Sequence, residues 1–420
     1  MEQFTQLTIF LILIVLLARL ASLLSARFGL PSVTIQLLVG VLLGPSLLNV
    51  LGSPIVLGTW GSPSPSKLHS VLKILAEMGL IQLMFLAGLR TDWRGLKNMV
   101  KPIFSLGGWQ FVLIVVGITI ITRLFVDRWA EALAMSAIMA ASGFGISVYN
   151  LSEMKFIGSR AANVILGVAT LSGVLAILLM VASQATNYAI TFGVFRMTIA
   201  VSWFLGKLVM FFAIAYFLTS RFLKLSANRF QKRPRQILIG YLLLVASLYA
   251  WAAMHFGSFA AVGVASLGGA LLGVSNFEIK EKISKGFEST LTSLPVGIFF
   301  VVLGMEVNLR GSGGTINFLA VLLAAVTGAK LIGYWVATNF ETSYDRSLIM
   351  FGALSQGEIG MLIASYLFSR GLVNSSQFNA AIIVVILLTM LTPILMKVAP
   401  VERRQGGAIV APSFTKREER

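Results

Sequence analysis

Ala353-Leu354-Ser355-Gln356-Gly357-Glu358-Ile359-Gly360 lies inside an apolar segment running roughly from Ser347 to Ser369. That is the length of one membrane crossing, at about 20 residues per helical span. Two glycines, a glutamine and an ionisable glutamate fall near its middle. A carboxylate at that depth costs a few kcal/mol or more unless it faces protein or water. Gly357 and Gly360 weaken the helix at the same place. Helical backbone is broken at membrane depth only where it is buried in protein or lines a cavity. The stretch therefore predicts a discontinuous helix that carries a buried polar site, a feature of secondary transporters built from inverted repeats.

The rest of the chain agrees with a membrane protein. Its 420 residues are 57% hydrophobic and only 12% charged, with a mean hydropathy of +0.88. No soluble globular domain has that composition. The net charge of +17 would suit a nucleic-acid partner, but the basic residues sit in short loops between apolar spans. That is the positive-inside pattern, and it excludes the nucleic-acid reading. There are no cysteines, and the two histidines, His69 and His255, lie far apart. Disulfide, thiolate and clustered metal chemistry are thereby excluded. No phosphate-binding or dinucleotide fingerprint is present. Neither a cofactor nor an enzymatic activity is expected.

Thirteen apolar spans read approximately as 4–24, 31–50, 69–89, 100–122, 130–152, 161–183, 193–219, 236–254, 257–276, 287–308, 316–338, 347–369 and 376–399. The fold class expected is an all-α polytopic membrane protein. The loops after odd-numbered spans hold most of the Lys and Arg. They include Arg90, Arg94 and Lys97, then Lys155 and Arg160, and the run from Arg221 to Arg235. The loops after even-numbered spans hold few, among them Lys67, Arg123, Arg128, Arg310 and Arg370. This bias puts the N-terminus outside and the C-terminus in the cytoplasm, in a bacterial inner membrane or an equivalent. Residues 1–400 read as one transmembrane domain. A first repeat covers about 1–183, a linking span and basic loop about 193–235, and a second repeat about 236–400. Residues 401–420 read as a short, basic, flexible cytoplasmic tail.

The two halves echo each other. Span five holds Ala140-Ala141-Ser142-Gly143-Phe144-Gly145-Ile146-Ser147, small and glycine-interrupted like the stretch in span twelve. One span runs inward and the other outward. A matched pair of glycine-broken spans in opposite orientation points to a midplane site, with hinges at Gly143, Gly145, Gly357 and Gly360. Small residues also let membrane helices pack closely. The glutamate inside the pair favours the site.

Two further spans supply polar groups at depth. Lys330 lies near the centre of span eleven, too deep to reach an interface easily, and should find a partner in the bundle interior. Span six is polar but uncharged at its centre, with Thr170 and Ser172. Glu77 reads as a helix-end residue and His255 as a loop residue. Glu358 is then the one carboxylate placed firmly at mid-depth, where it can carry a proton. The structural alternative is a buried Glu358–Lys330 ion pair that holds the core together.

Several motifs resemble the cation/proton antiporter-2 family, the Kef-type sodium/hydrogen exchanger-like proteins. Leu30-Pro31-Ser32 with Gly40-Val41-Leu42-Leu43-Gly44-Pro45-Ser46 resembles that family's second span. Phe85-Leu86-Ala87-Gly88-Leu89 followed by Asp92 is similar to its third, Leu151-Ser152-Glu153 to the end of its fifth, and Phe299-Phe300-Val301-Val302-Leu303-Gly304-Met305 to its tenth. The resemblance implies a thirteen-helix sodium/proton-antiporter fold with two crossed, broken helices, a separate dimerisation domain, elevator-type alternating access and a homodimer. It implies exchange of sodium or potassium for protons across the lipid bilayer. Ser142, Lys330, Gln356, Gly357 and Glu358 match the family's site positions. The acidic residues usual at the centre of span six are replaced by Ser172 and Gly173. Oxygens of Ser142, Thr170 and Ser172, with broken-helix carbonyls, would then hold the cation. Two alternatives stay open: a proton-coupled anion transporter using Lys330, or a sensor or subunit that keeps the fold without transport.

Overall fold

The computed structural model describes residues 2–28, 31–50, 65–193, 293–307, 316–337 and 346–398, scattered positions between 195 and 221, and the pairs of segments 403–405 and 408–410. Spans eight and nine and His255 lie outside the described residues, as do about half of span seven and the basic run after Arg221.

The described spans are helical where the hydropathy puts them. Span one is Glu2–Phe28, span two Ser32–Leu43, span three Pro65–Arg90 and span four Val100–Phe125. Span six is Arg160–Phe192, span ten Ser293–Met305, span eleven Ile316–Ala337 and span thirteen Ser375–Val398. Among the described residues six segments are long and apolar enough to cross a membrane. An unbroken helix satisfies its interior backbone groups within its own segment, the condition hydrocarbon imposes.

Spans five and twelve are interrupted. Span five runs as Trp129–Ala140 and then Phe144–Glu153. Span twelve runs as Arg346–Gly352 and then Glu358–Ser369. The unwound residues are 141–143 and 353–357. Gly143 and Gly357 each immediately precede a second half. Gly145 and Gly360, expected as hinges, instead lie in the first turns of those second halves, where the backbone is already helical.

Two groups of helices emerge from the packing. Spans one, two, three and ten pack on one another, as do spans four, five, six, eleven, twelve and thirteen. In the first group the motif glycines explain themselves. A Cβ on Gly40 would overlap the Val301 carbonyl and lie 2.8 Å from the Gly304 Cα. A Cβ on Gly44 would meet the Met305 Cα at 3.1 Å. Small residues let the backbones of spans two and ten touch, which is how helices associate where lipid removes the hydrophobic drive. The groups meet where span three packs on the second half of span five and where span two packs on span thirteen.

Three local features differ from the sequence reading. A short helix, Trp93–Asn98, follows span three, capped by Asp92, whose carboxylate accepts the Gly95 N–H at 3.1 Å. Glu77 is not a helix-end residue. It is half-buried well inside Pro65–Arg90, one turn after Lys73. The tail carries a short antiparallel pair, Arg403–Gln405 with Ala408–Val410. Gly406 and Gly407 stand between the two strands in sequence, and a Gly-Gly pair is a hairpin signal.

Candidate functional site

The two breaks meet. A Cβ on Gly143 would lie 2.6 Å from the Gln356 carbonyl oxygen and 3.0 Å from the Gly357 Cα. Only glycines allow that approach, so the sequence interruptions are also the contact surface between the two spans. The amide of Gln356 spans the crossing as well, donating from Nε2 to the Met139 carbonyl at 2.8 Å. On the far side, the single hydroxyl proton of Thr389 of span thirteen is shared between the Gln356 carbonyl at 3.1 Å and the Val385 carbonyl of its own helix at 2.7 Å,.

Unwinding leaves helix ends inside the bundle, and the two buried charges sit at those ends. Lys330 is 1% exposed. Its Nζ donates to the Ser355 carbonyl at 2.9 Å, to the Leu354 carbonyl at 3.3 Å and to Ser142 Oγ at 3.2 Å. These carbonyls follow the first half of span twelve, the negative end of a half-helix dipole, where a cation is favoured. An ammonium has three donors, and here it has three acceptors.

Glu358 is also 1% exposed. It begins the second half of span twelve and reaches the start of the second half of span five. There its Oε1 accepts the Gly145 N–H at 2.7 Å, and the N–H groups of Phe144 and Ile146 face it too. A carboxylate at the positive ends of two half-helices follows the same dipole logic with the sign reversed. Glu358 Oε2 is buried with no hydrogen-bond partner, and so is Gln356 Oε1. Buried acceptors left open in this way call for a functional explanation.

The alternative of a Glu358–Lys330 ion pair is not what forms. The lysine spends its donors on the broken backbone and Ser142, while the carboxylate turns to a different helix end. Each charge is met by backbone groups freed at a break, so neither needs the other. Of the residues the sequence singled out, the structure brings together Ser142, Lys330, Gln356 and Glu358 around Gly143, Gly145 and Gly357. Thr170 and Ser172 do not join them by hydrogen bonds. Thr170 donates to the Leu166 carbonyl of its own helix at 2.8 Å, and Ser172 is buried in span six.

Sequence reasoning passed over two supporting residues. Gln110 of span four donates from Nε2 to the Lys330 carbonyl at 3.0 Å and fixes the backbone that carries the lysine. Thr389 does the same for the unwound turn of span twelve. Both are polar residues deep in apolar spans, and that depth was the signal available.

The profile of the family described as "Sodium/hydrogen exchanger, transmembrane" matches residues 12–398. The probable Na(+)/H(+) antiporter GerT of Bacillus cereus is 25% identical over 390 residues, covering 92% of this chain and 97% of the relative. The Na(+)/H(+)-K(+) antiporter GerN of the same organism is 28% identical over 391 residues, covering 92% and 94%. Among solved structures, the sodium proton antiporter MjNhaP1 of Methanocaldococcus jannaschii at pH 8 superposes with a TM-score of 0.65 at 17% identity, over 94% of this chain and 96% of that one. The exchanger-like membrane domain expected from the motifs is thus the one found. The antiporter-2 branch is a finer division than the matched family draws.

Proposed function

The chain belongs to the sodium/hydrogen exchanger transmembrane family, and from that membership we propose that it exchanges a monovalent cation for protons through a site built on Glu358. One observation carries the reading. Glu358 is buried at the crossing of two broken helices with one oxygen anchored on Gly145 and the other open. A single carboxylate oxygen that either a proton or a hard cation can occupy makes the two compete, and competition for one group is what exchange requires. Gln356 Oε1, open on the same unwound segment, is a second oxygen ligand for the cation,. The usual span-six acids are absent, so Glu358 takes the proton-carrying role. Ser172 and Thr170 would contribute only after rearrangement.

The two helix groups support an elevator movement, in which the group holding the breaks slides against spans one, two, three and ten. We assign the N-terminus to the outside, the tail to the cytoplasm and a homodimer to the membrane, on the charge bias and the family. The anion alternative is weakened by Lys330, whose three donors already meet three oxygens. The relatives named as sodium or sodium and potassium antiporters set the ions to try first.

The test uses purified protein in liposomes with a trapped pH dye, driven by sodium, potassium or chloride gradients. A cation-dependent proton flux is expected. Proton flux that follows chloride, or no flux under any gradient, would overturn the reading in favour of the anion or sensor alternative.

A further inference from the structure

Two sequence motifs far from the crossing turn out to be bonded to each other. Ser32, from Leu30-Pro31-Ser32, starts span two, and Glu153, from Leu151-Ser152-Glu153, ends span five. The Ser32 N–H donates to Glu153 Oε2 at 2.9 Å, and Ser32 Oγ donates to Glu153 Oε1. Ser32 Oγ also lies 3.1 Å from the Tyr149 hydroxyl, one turn back on the same half-helix. The Tyr149 ring in turn meets Phe300 of span ten edge-on, with centroids 5.9 Å apart. Ser32 is buried, and Glu153 stands at the exposed end of its helix.

These bonds cross the boundary between the two helix groups. Ser32 and Phe300 belong to the group of spans one, two, three and ten, whereas Tyr149 and Glu153 belong to the group that carries the breaks. We propose that Ser32 and Glu153 form a clasp that holds the group carrying Glu358 in one of its two positions, and that the clasp opens and recloses in every transport cycle.

The helix Phe144–Glu153 links the clasp to the site. Gly145, at its start, donates to Glu358, and Glu153 ends it. The two lie eight residues apart, about 12 Å at about 1.5 Å per residue, and Gly145, Tyr149 and Glu153 follow one another at helical spacing on one stripe. A ten-residue helix moves as a unit, so a change in what Glu358 holds bears on the same rod that Ser32 grips. Bonds to a carboxylate are the strong kind, and two of them from one serine give a contact that is either made or broken. Ser32 and Glu153 are positioning residues in this scheme. They touch no ion.

The proposal rests on the exchange reading, and its test separates the two. The chain has no cysteine, so introduced thiols are unique. In liposomes, a Ser32→Cys/Glu153→Cys pair bridged by a bis-methanethiosulfonate cross-linker, whose disulfides are reducible, should stop transport, and reduction should restore it. Transport by the bridged protein at the reduced rate would overturn the clasp.

A second measurement needs no transport. Nitroxides on Leu48→Cys and Leu124→Cys, exposed residues following span two and at the end of span four, report the distance between the groups by pulsed electron resonance in spin-diluted samples. Ser32→Ala and Glu153→Gln should raise the population of a second distance, whereas Ser32→Thr, which keeps the hydroxyl, should retain the parent distribution. Identical distributions in all four proteins would overturn the clasp. If the parent moves no ion but these distributions shift, the exchange reading fails and the clasp stands as a conformational lock.

Discussion

Gly145 donates its backbone N–H to Glu358 at 2.7 Å, across 213 residues of chain and between two interrupted helices. The bond exists because both helices stop and restart at the same depth. It places the buried carboxylate of span twelve on a free helix end of span five. Had Lys330 been its partner, the pair would have neutralised itself. Instead Glu358 keeps an open oxygen, and its anchor is a backbone group that mutation does not remove.

Glu358→Gln keeps the size of the side chain and an oxygen for the Gly145 N–H, so folding should be preserved. The variant has no exchangeable proton at that position. Cation-driven proton flux in liposomes should fall to the level of empty vesicles, and no pH between about 6 and 9 should restore it, because an amide does not titrate in that range. A variant with the parent's flux and pH profile would place the proton elsewhere.

Lys330→Met should lower stability. The substitution keeps much of the volume but leaves the Leu354 and Ser355 carbonyls and the Ser142 hydroxyl without their donor. A buried polar group left unsatisfied costs about 1–3 kcal/mol. A lower midpoint of thermal unfolding in detergent is expected. An unchanged midpoint would mean that the unwound carbonyls find other donors.

Gly143→Ala and Gly117→Ala should behave oppositely. The first puts a methyl 2.6 Å from the Gln356 carbonyl oxygen and forces the crossing apart, whereas the second meets nothing within 4 Å in span four. Glycine costs a helix interior about 1 kcal/mol relative to alanine. Gly117→Ala should therefore match or exceed the parent's thermal midpoint, and Gly143→Ala should fall below it and lose transport. Equal midpoints would show that the breaks do not touch.

Gln110→Leu tests whether the lysine's own backbone needs support. The side chain holds the Lys330 carbonyl at 3.0 Å, while its Oε1 has no partner. Removing both ends of a half-satisfied amide should change stability by less than about 1.5 kcal/mol. Transport should fall through a slower maximal rate rather than a weaker apparent cation affinity, which initial rates over a sodium series would separate. A shift confined to affinity would make Gln110 part of the ion site.

By itself the sequence determined the membrane class, the described spans and the paired interruptions. Each spanning helix must satisfy its backbone within its own residues, so it leaves a local run of apolar side chains. An interruption leaves a local cluster of small and polar ones, as at Ser142-Gly143 and Gln356-Gly357. Composition was also enough to find Lys330 and Glu358, because charge at depth is rare in any sequence. Only the tertiary structure decided what those charges do. Lys330 turned to Ser142 and the unwound carbonyls, Glu358 turned to Gly145, and Ser32 turned to Glu153. Those choices depend on how each helix is rotated about its axis and where it crosses its neighbours. A span apolar on every side carries almost no record of that rotation, and the bonds that reveal it join residues 24 to 213 positions apart.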